Sequence, residues 1–452
     1  MLEGLIPELF DEIVALLDLP DLYPLRLASR RLEQRSRAAF SILAFSEITT
    51  DLSRASISRL SRIASSRFAP AVLRLHVGDW GGHREKSPWG RDAPYGKEGH
   101  WPRLESGAVS PGSALAAEFS AAISRFPNCA AATVTDELVR IVRHPSDVGP
   151  ERCLSSPDAA ELVLRAYSSS APGAPPLRSF RVLIRRDLDW WLPGSITAAT
   201  VASARQALAG HLRELVLKSS GPEPDDWLNQ TLDLATASPS LVTLRLLFGD
   251  LVREGGELVA GYRLGERLEG FAPPLEHLTL GGLAMREADL LCLLSQWSDT
   301  LETLAFYHMK LSPGIWTGVL QNLHDKPFNR LRRFSMQRCL DGDDRATTAF
   351  CPLWKARKEL QESCDGEFEF RFSRTNGRGR RELHIAGVLF EPRRGAPGMG
   401  LGLRAMMEYS HRPSVEPGVT PPCAPDQDIR VCGPTSDSYT RWTGLGPEYR
   451  SP

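Results

Sequence analysis

The sequence predicts an α + α/β chain in which a small all-helical module precedes an irregular α/β solenoid. Three observations predict it. Residues 5–32, LIPELFDEIVALLDLPDLYPLRLASRRL, carry apolar side chains at helical spacing on both sides of Pro20. Beyond residue 170 a short strand-like pattern returns at nearly regular intervals, which signals stacked units. The stretches between those returns carry apolar residues at helical spacing. At 452 residues the chain exceeds one compact domain, so more than one unit is expected.

The first helix is predicted from Leu5, Leu9, Ile13, Leu16 and Leu17, and the next from Leu22, Leu25 and Leu32. Pro7 falls where the first helix begins, in the turn whose amides have no intrahelical acceptor. Asp21 is the expected N-cap of the second helix, which puts Pro24 in a first turn as well. Too few residues lie here to form a core, so the apolar surface is expected to need a partner. Spacing alone equally accommodates an amphipathic hairpin packed on the chain's own core.

Pro7, Glu8, Leu9, Ile13, Leu16, Leu17, Asp21, Leu22, Leu25, Arg26, Ser29 and Arg30 together resemble the F-box pattern. Two positions depart from it. Ile6 stands where leucine is usual, and Ala28 where a larger aliphatic is common, which buries less area at roughly 0.8 kcal/mol per methylene. The resemblance implies an F-box at residues 1–45 that binds an Skp-type adaptor and, through it, a cullin-RING ubiquitin ligase. The adaptor contacts it implies are Ile6, Pro7, Leu9, Ile13, Leu16, Leu17, Leu22 and Leu25.

A helical connector is expected over residues 46–70. The repeat then reads LRSFRV from Leu177, LRELVL from Leu212, LVTLRL from Leu241, LEHLTL from Leu275, LETLAF from Leu301 and LRRFSM from Leu331. The intervals are 35, 29, 34, 26 and 30 residues, room for a strand, a helix and two connections each. In L-x-x-L-x-L the fourth and sixth positions share one strand face, while the first closes the preceding turn. Helices are expected at Trp227, Leu228 and Leu232; at Leu290, Leu293, Leu294 and Trp297; and at Ile315, Val319 and Leu323. These segments resemble the leucine-rich repeat. The resemblance implies right-handed coils with parallel strands on the concave side of a curved solenoid. Its Asn or Cys, eight places after the first Leu, is met only by Cys339; Ser220, Gly249, Leu283 and Met309 stand elsewhere, and irregular coils are expected.

The irregular leucine-rich-repeat-like region is placed at 71–395. VLRLHV at 72–77 and FPNCAAATV at 126–134 read as degenerate coils, the latter after a helix marked by Leu115, Phe119, Ile123 and Phe126. FEFRF at 368–372 and RELHIAGVLF at 381–390 are expected to close the open end of the sheet, where an exposed strand invites aggregation. A loop insertion over 78–111 carries Trp80, Trp89, Tyr95 and Trp101, read either as interface anchors or as side chains pinning the loop to its own scaffold. Residues 396–452, rich in glycine and proline and without period, read as a flexible tail.

Fifty-four basic residues against fifty-five acidic leave a net charge of -1, so no global field draws the chain to nucleic acid or an anionic membrane. No apolar run approaches the roughly 20 residues that span a bilayer, and the acidic start at Glu3, Glu8, Asp11 and Glu12 lacks a signal peptide's basic residues. The expectation is an intracellular protein of the cytoplasm and/or nucleus, with no membrane or nucleic-acid partner. The eight cysteines show neither C-x-x-C pairs nor histidine clustering, so reduced thiols without metal are expected.

Asp187 and Asp189 in DLDWW have no third carboxylate or histidine nearby and read as a packed loop. Asp341, Asp343 and Asp344 lack the glutamate of a calcium loop and read as a solvated turn. RTNGRGRR at 374–381 reads as a basic hairpin turn. G-x-S-x-G, P-loop and H-E-x-x-H motifs are missing, so neither an enzyme nor a cofactor is expected. What the two resemblances imply together is a substrate receptor for an unknown protein target. The alternative is a repeat scaffold without a ligase role, its N-terminal helices capping the solenoid.

Overall fold

In the computed structural model the described residues are 2–78, 112–135, 156–168, 175–184, 198–208, 210–219, 232–248, 273–326, 328–337 and 339–341, with isolated residues between 101 and 154. Backbone strands at 349–350, 366–377, 380–392 and 410–411, and residue 403, complete them. Two compact units form: Met1–Leu217 with Asp225–Ser240, and Lys218–Pro224 with Leu241–Pro452. Helices and strands are mixed, and the strands are mainly parallel.

The first unit opens with four short helices rather than two: α1 (Pro7–Ala15), α2 (Leu19–Ala28), α3 (Arg30–Arg35) and α4 (Arg37–Phe45). Pro7 sits in the first turn of α1, after an extended Ile6. The cap of α2 is Asp18, not Asp21, and Pro20 rather than Pro24 fills its first turn. Pro24 lies inside α2, where it removes one amide donor. Ser29 is extended and its hydroxyl oxygen accepts from Leu32 N at 3.1 Å, so the chain bends between α2 and α3 and restarts there. Phe10, Val14, Leu22, Leu32 and Phe40 form a small core, with Leu5, Leu17, Leu19, Leu25, Phe45 and Phe68 packed around it.

The strands begin earlier than expected. β1 (Glu47–Thr50) lies within the stretch read as a helical connector, because Ile48 and Thr50 point inward from an alternating, β-branched run. Only α5 (Arg54–Ala64) is helical in the rest of it apart from one short turn. β2 (Arg74–Gly78), β3 (Ala131–Thr135), β4 (Ser179–Ile184) and β5 (Glu214–Ser219) follow side by side in chain order, and β1 to β4 pair in parallel. α5, α6 (Ala114–Ile123), α7 (Ser156–Ser168) and α8 (Ala198–Leu208) connect successive strands, as parallel pairing requires.

At the edge the Arg59 guanidinium donates to the carbonyl of Thr49, occupying one acceptor of a strand only four residues long. Between α7 and α8 lies a buried polar knot. Arg165 pairs with Glu161, donates to Thr200 Oγ1 at 3.1 Å and reaches Val109 O at 3.1 Å, while Thr200 donates to Glu161 at 2.9 Å.

The second unit continues with β6 (Thr243–Phe248), β7 (His277–Gly281), β9 (Thr303–Tyr307) and β11 (Arg333–Gln337), all parallel. Among the described residues of this unit lie the helices α9 (Glu287–Ser295) and α10 (Trp316–Asp325). The strand pairs β8 (Ala284–Met285), β10 (Lys310–Leu311) and β12 (Leu340–Asp341) make a second, small parallel sheet. After β13 (Ala349–Phe350), β14 (Gly366–Gly377) and β15 (Arg380–Pro392) form an antiparallel hairpin whose β15 pairs with β11. This is the expected closing hairpin.

Every predicted repeat follows one burial rule. Leu177, Leu212, Leu241, Leu275, Leu301 and Leu331 lie two residues before their strands and are buried; the fourth and sixth positions, from Phe180 and Val182 to Phe334 and Met336, are buried on the strand. Val72, Leu75 and Val77 obey it too, as do Cys129, Ala132 and Val134, which bears out the two degenerate segments as strands. The missing asparagine does not leave the turns unsupported. Leu283, Met309 and Cys339 fill its column as buried side chains, and the turn backbones bond one another instead, Lys310 N to Leu283 O at 2.9 Å and Leu340 N to Met309 O at 2.7 Å.

Asp341 is no solvated turn. Its carboxylate accepts from Trp316 N at 2.7 Å and caps α10 from the neighbouring strand. Asp187, Asp189, Asp343 and Asp344 lie outside the described residues, as do Trp80, Trp89, Tyr95 and almost all of the tail. Trp101 and Val109, at the returning end of the insertion, are buried, which favours the pinning reading for that end.

Candidate protein-binding surface on the N-terminal helices

Helix α1 carries two apolar stripes. Phe10, Val14 and Leu17 face the module's core. Ile6, Leu9, Ile13 and Leu16, spaced three or four apart, form the other, roughly 100° round the helix, and face solvent. Their exposures are 58%, 47%, 38% and 86%. Pro7 is exposed beside Ile6, and the acids Glu8 and Glu12 border the stripe. Leu22, by contrast, is fully buried at 0%, and Leu17 and Leu25 are half-buried against the core. Of the eight residues expected at an adaptor contact, Ile6, Pro7, Leu9, Ile13 and Leu16 are thus accessible, while Leu22 serves to hold the helices together.

Sequence reading missed further exposed apolar groups: Tyr23 and Leu27, one turn apart on α2, and Ile42 and Leu43 on α4. The signal was present, since Tyr23 and Leu27 are spaced i,i+4, but Leu22 and Leu25 made an equally good stripe. α2 is apolar nearly all round, and only packing decides which face turns in.

The module is braced by arginines. Arg35 donates to the carbonyls of Glu3 and Ile6, both at 3.2 Å, and lies over the Phe10 ring at 4.1 Å, tying the start of α1 to α3. Glu33 accepts from Arg26 at 2.8 Å, Arg37 at 3.0 Å and Arg67 at 2.9 Å. The hydrogen bond from Arg37, helped by the three positive charges, holds its carboxyl below the ordinary value of 4.5 against partial desolvation. Arg26 lies 3.7 Å over the Phe40 ring, and burial lowers its pKa although Glu33 opposes this.

Among the described residues no three His, Cys, Asp or Glu side chains gather to hold a metal ion, and no helix is long and apolar enough to cross a membrane. Cys129, Cys292 and Cys339 are thiols outside any disulfide. Burial pushes the Cys129 thiol up to about 11, despite the Tyr167 hydroxyl 3.2 Å away, so it is an inert core group.

No protein-family model matches the chain, and no curated protein matches it in sequence.

Proposed function

We propose that the chain is the substrate-recognition subunit of an SCF-type cullin-RING E3 ubiquitin ligase, its N-terminal helices binding an Skp-type adaptor. The observation that carries this reading is the second stripe of α1. A helix that already buries Phe10 and Val14 has no folding reason to expose Ile6, Leu9, Ile13 and Leu16 together. Contiguous exposed apolar side chains mark a surface that another protein covers.

The repeat body supports the second half of the reading. Strands with one burial rule recur from Val72 to Met336, and among the described residues helices stand between most of them, which suits the coils of a leucine-rich-repeat-like solenoid, a construction that presents a broad surface to a target protein. Catalysis would lie elsewhere in the complex. The chain would raise the effective concentration of the target's lysines near a charged E2, acting in the cytoplasm and/or nucleus.

The scaffold reading also has an observation in its favour. Phe68, from beyond the helices, stacks on Phe45 with centroids 4.6 Å apart, as a cap would. Expression of the full chain with an Skp-type adaptor and a cullin separates the two. Recovery of both with the chain supports the receptor, and a chain that brings down neither leaves the scaffold.

A further inference from the structure

The F-box-like pattern ends near residue 45, yet the core beneath the exposed stripe does not. Phe68 packs against the cluster of Phe10, Val14, Leu22, Leu32 and Phe40. Its ring meets Phe40 edge-on at 6.1 Å and lies parallel to Phe45, at an interplanar angle of 9°. The next residue back adds a polar tie, because Arg67 donates to Glu33 at 2.9 Å while its guanidinium lies 5.1 Å over the Phe68 ring. The backbone closes the joint: Leu73 N and Arg74 N both donate to Ser46 O at 2.9 Å, so the chain leaving α4 is clamped to the start of β2.

A core of five buried side chains is small, and removing one wall from it is felt throughout. Phe10 and Val14 share α1 with the stripe. Whatever fixes that core therefore fixes the tilt of Ile6, Leu9, Ile13 and Leu16.

We propose that the adaptor-binding module of this chain extends to residue 74, with Phe68 and Arg67 as positioning residues that hold α1 in its binding orientation from outside the F-box-like segment. This rests on the receptor reading for its partner, but not for its structural claim. Neither residue lies on the stripe, so neither is needed to touch the adaptor.

The test uses the full chain. Phe68→Ala and Arg67→Ala are compared with wild type for adaptor affinity and for amide hydrogen exchange. Phe68→Ala should weaken adaptor binding by roughly tenfold, about 1.4 kcal/mol. It should speed exchange across residues 7–45 while β3 to β5 keep theirs, and Phe68→Tyr, which preserves the stack, should restore both. Arg67→Ala should act in the same direction and less. Unchanged adaptor affinity in Phe68→Ala, or faster exchange spread evenly over the strands, overturns the proposal. If wild type itself binds no adaptor, the receptor reading fails while the exchange comparison still decides the extended module.

Discussion

Single residues divide sharply by role although they look alike in sequence. Leu16 and Leu22 are both leucines on the F-box-like pattern, yet one is 86% exposed and the other 0%. Leu22→Ala should cost about 2–5 kcal/mol, since it opens a cavity in a small core. Leu16→Asp should change stability by no more than about 0.5 kcal/mol, as for other exposed sites. Denaturant titration of both variants checks this, and equal destabilisation would mean that Leu16 is core.

Glu33 gives the module a pH dependence. Its folded pKa lies below the ordinary value of 4.5, so its stabilising contribution is complete above that value and is lost as pH falls through the folded pKa. Glu33→Gln should accordingly be less stable than wild type at pH 7, with Arg26, Arg37 and Arg67 left facing one another. The difference should shrink below about pH 4.5 as the wild-type carboxyl protonates. Amide exchange of α1 to α4 measured against pH checks it, and a gap that widens in acid contradicts the assigned role.

At the scale of elements, the repeats hold each other by backbone and cap rather than by an asparagine ladder. Asp341 caps α10, and Glu287, at the start of α9, accepts from Ile315 N at 2.9 Å just before it. Asp341→Ala should lose about 1 kcal/mol, the usual cost of an N-cap, measured by thermal unfolding of the second unit. Gly282 marks a tight turn. With φ at +68°, a side chain there would place its Cβ 1.5 Å from Phe248 O. Gly282→Ala should be far more damaging than Asp341→Ala, and an Ala variant of near wild-type stability would contradict the turn.

How much was legible also differs element by element. The strands from Leu177 to Met336 were readable because period-two burial after a turn-closing leucine is a strict geometric demand. β1 was missed because four residues are too short a window for periodicity, α7 because it is buried nearly all round and so shows no single apolar stripe, and α8 because it is rich in alanine. Leu22, Leu25 and Leu32 looked like one helix because Ser29, which splits them between α2 and α3, is a weak punctuation mark in sequence and a strong one as an N-cap. On α1, spacing identified apolar residues but not the inward stripe, since Leu9 with Ile13 and Phe10 with Val14 are equally good i,i+4 pairs. Sequence reading therefore named the exposed Ile6, Pro7, Leu9, Ile13 and Leu16 but did not separate them from Leu17, Leu22 and Leu25, which pack inward.

For the whole molecule, a net charge of -1 gives no global field to draw a partner, which leaves recognition to local surfaces. Two features stand out: a short helical module with a spare apolar stripe, and strands in each unit that follow one burial rule. The proposed receptor would use the first for its adaptor and the second for its target.

The most direct test of that account is adaptor binding by the full-length chain, measured by calorimetric titration with a purified Skp-type adaptor for wild type and Leu16→Asp at matched fold content. The account predicts a saturable complex with wild type and none with Leu16→Asp, while circular dichroism and unfolding midpoint stay unchanged. A wild-type chain that shows no binding, or a Leu16→Asp chain that binds equally well, would contradict it.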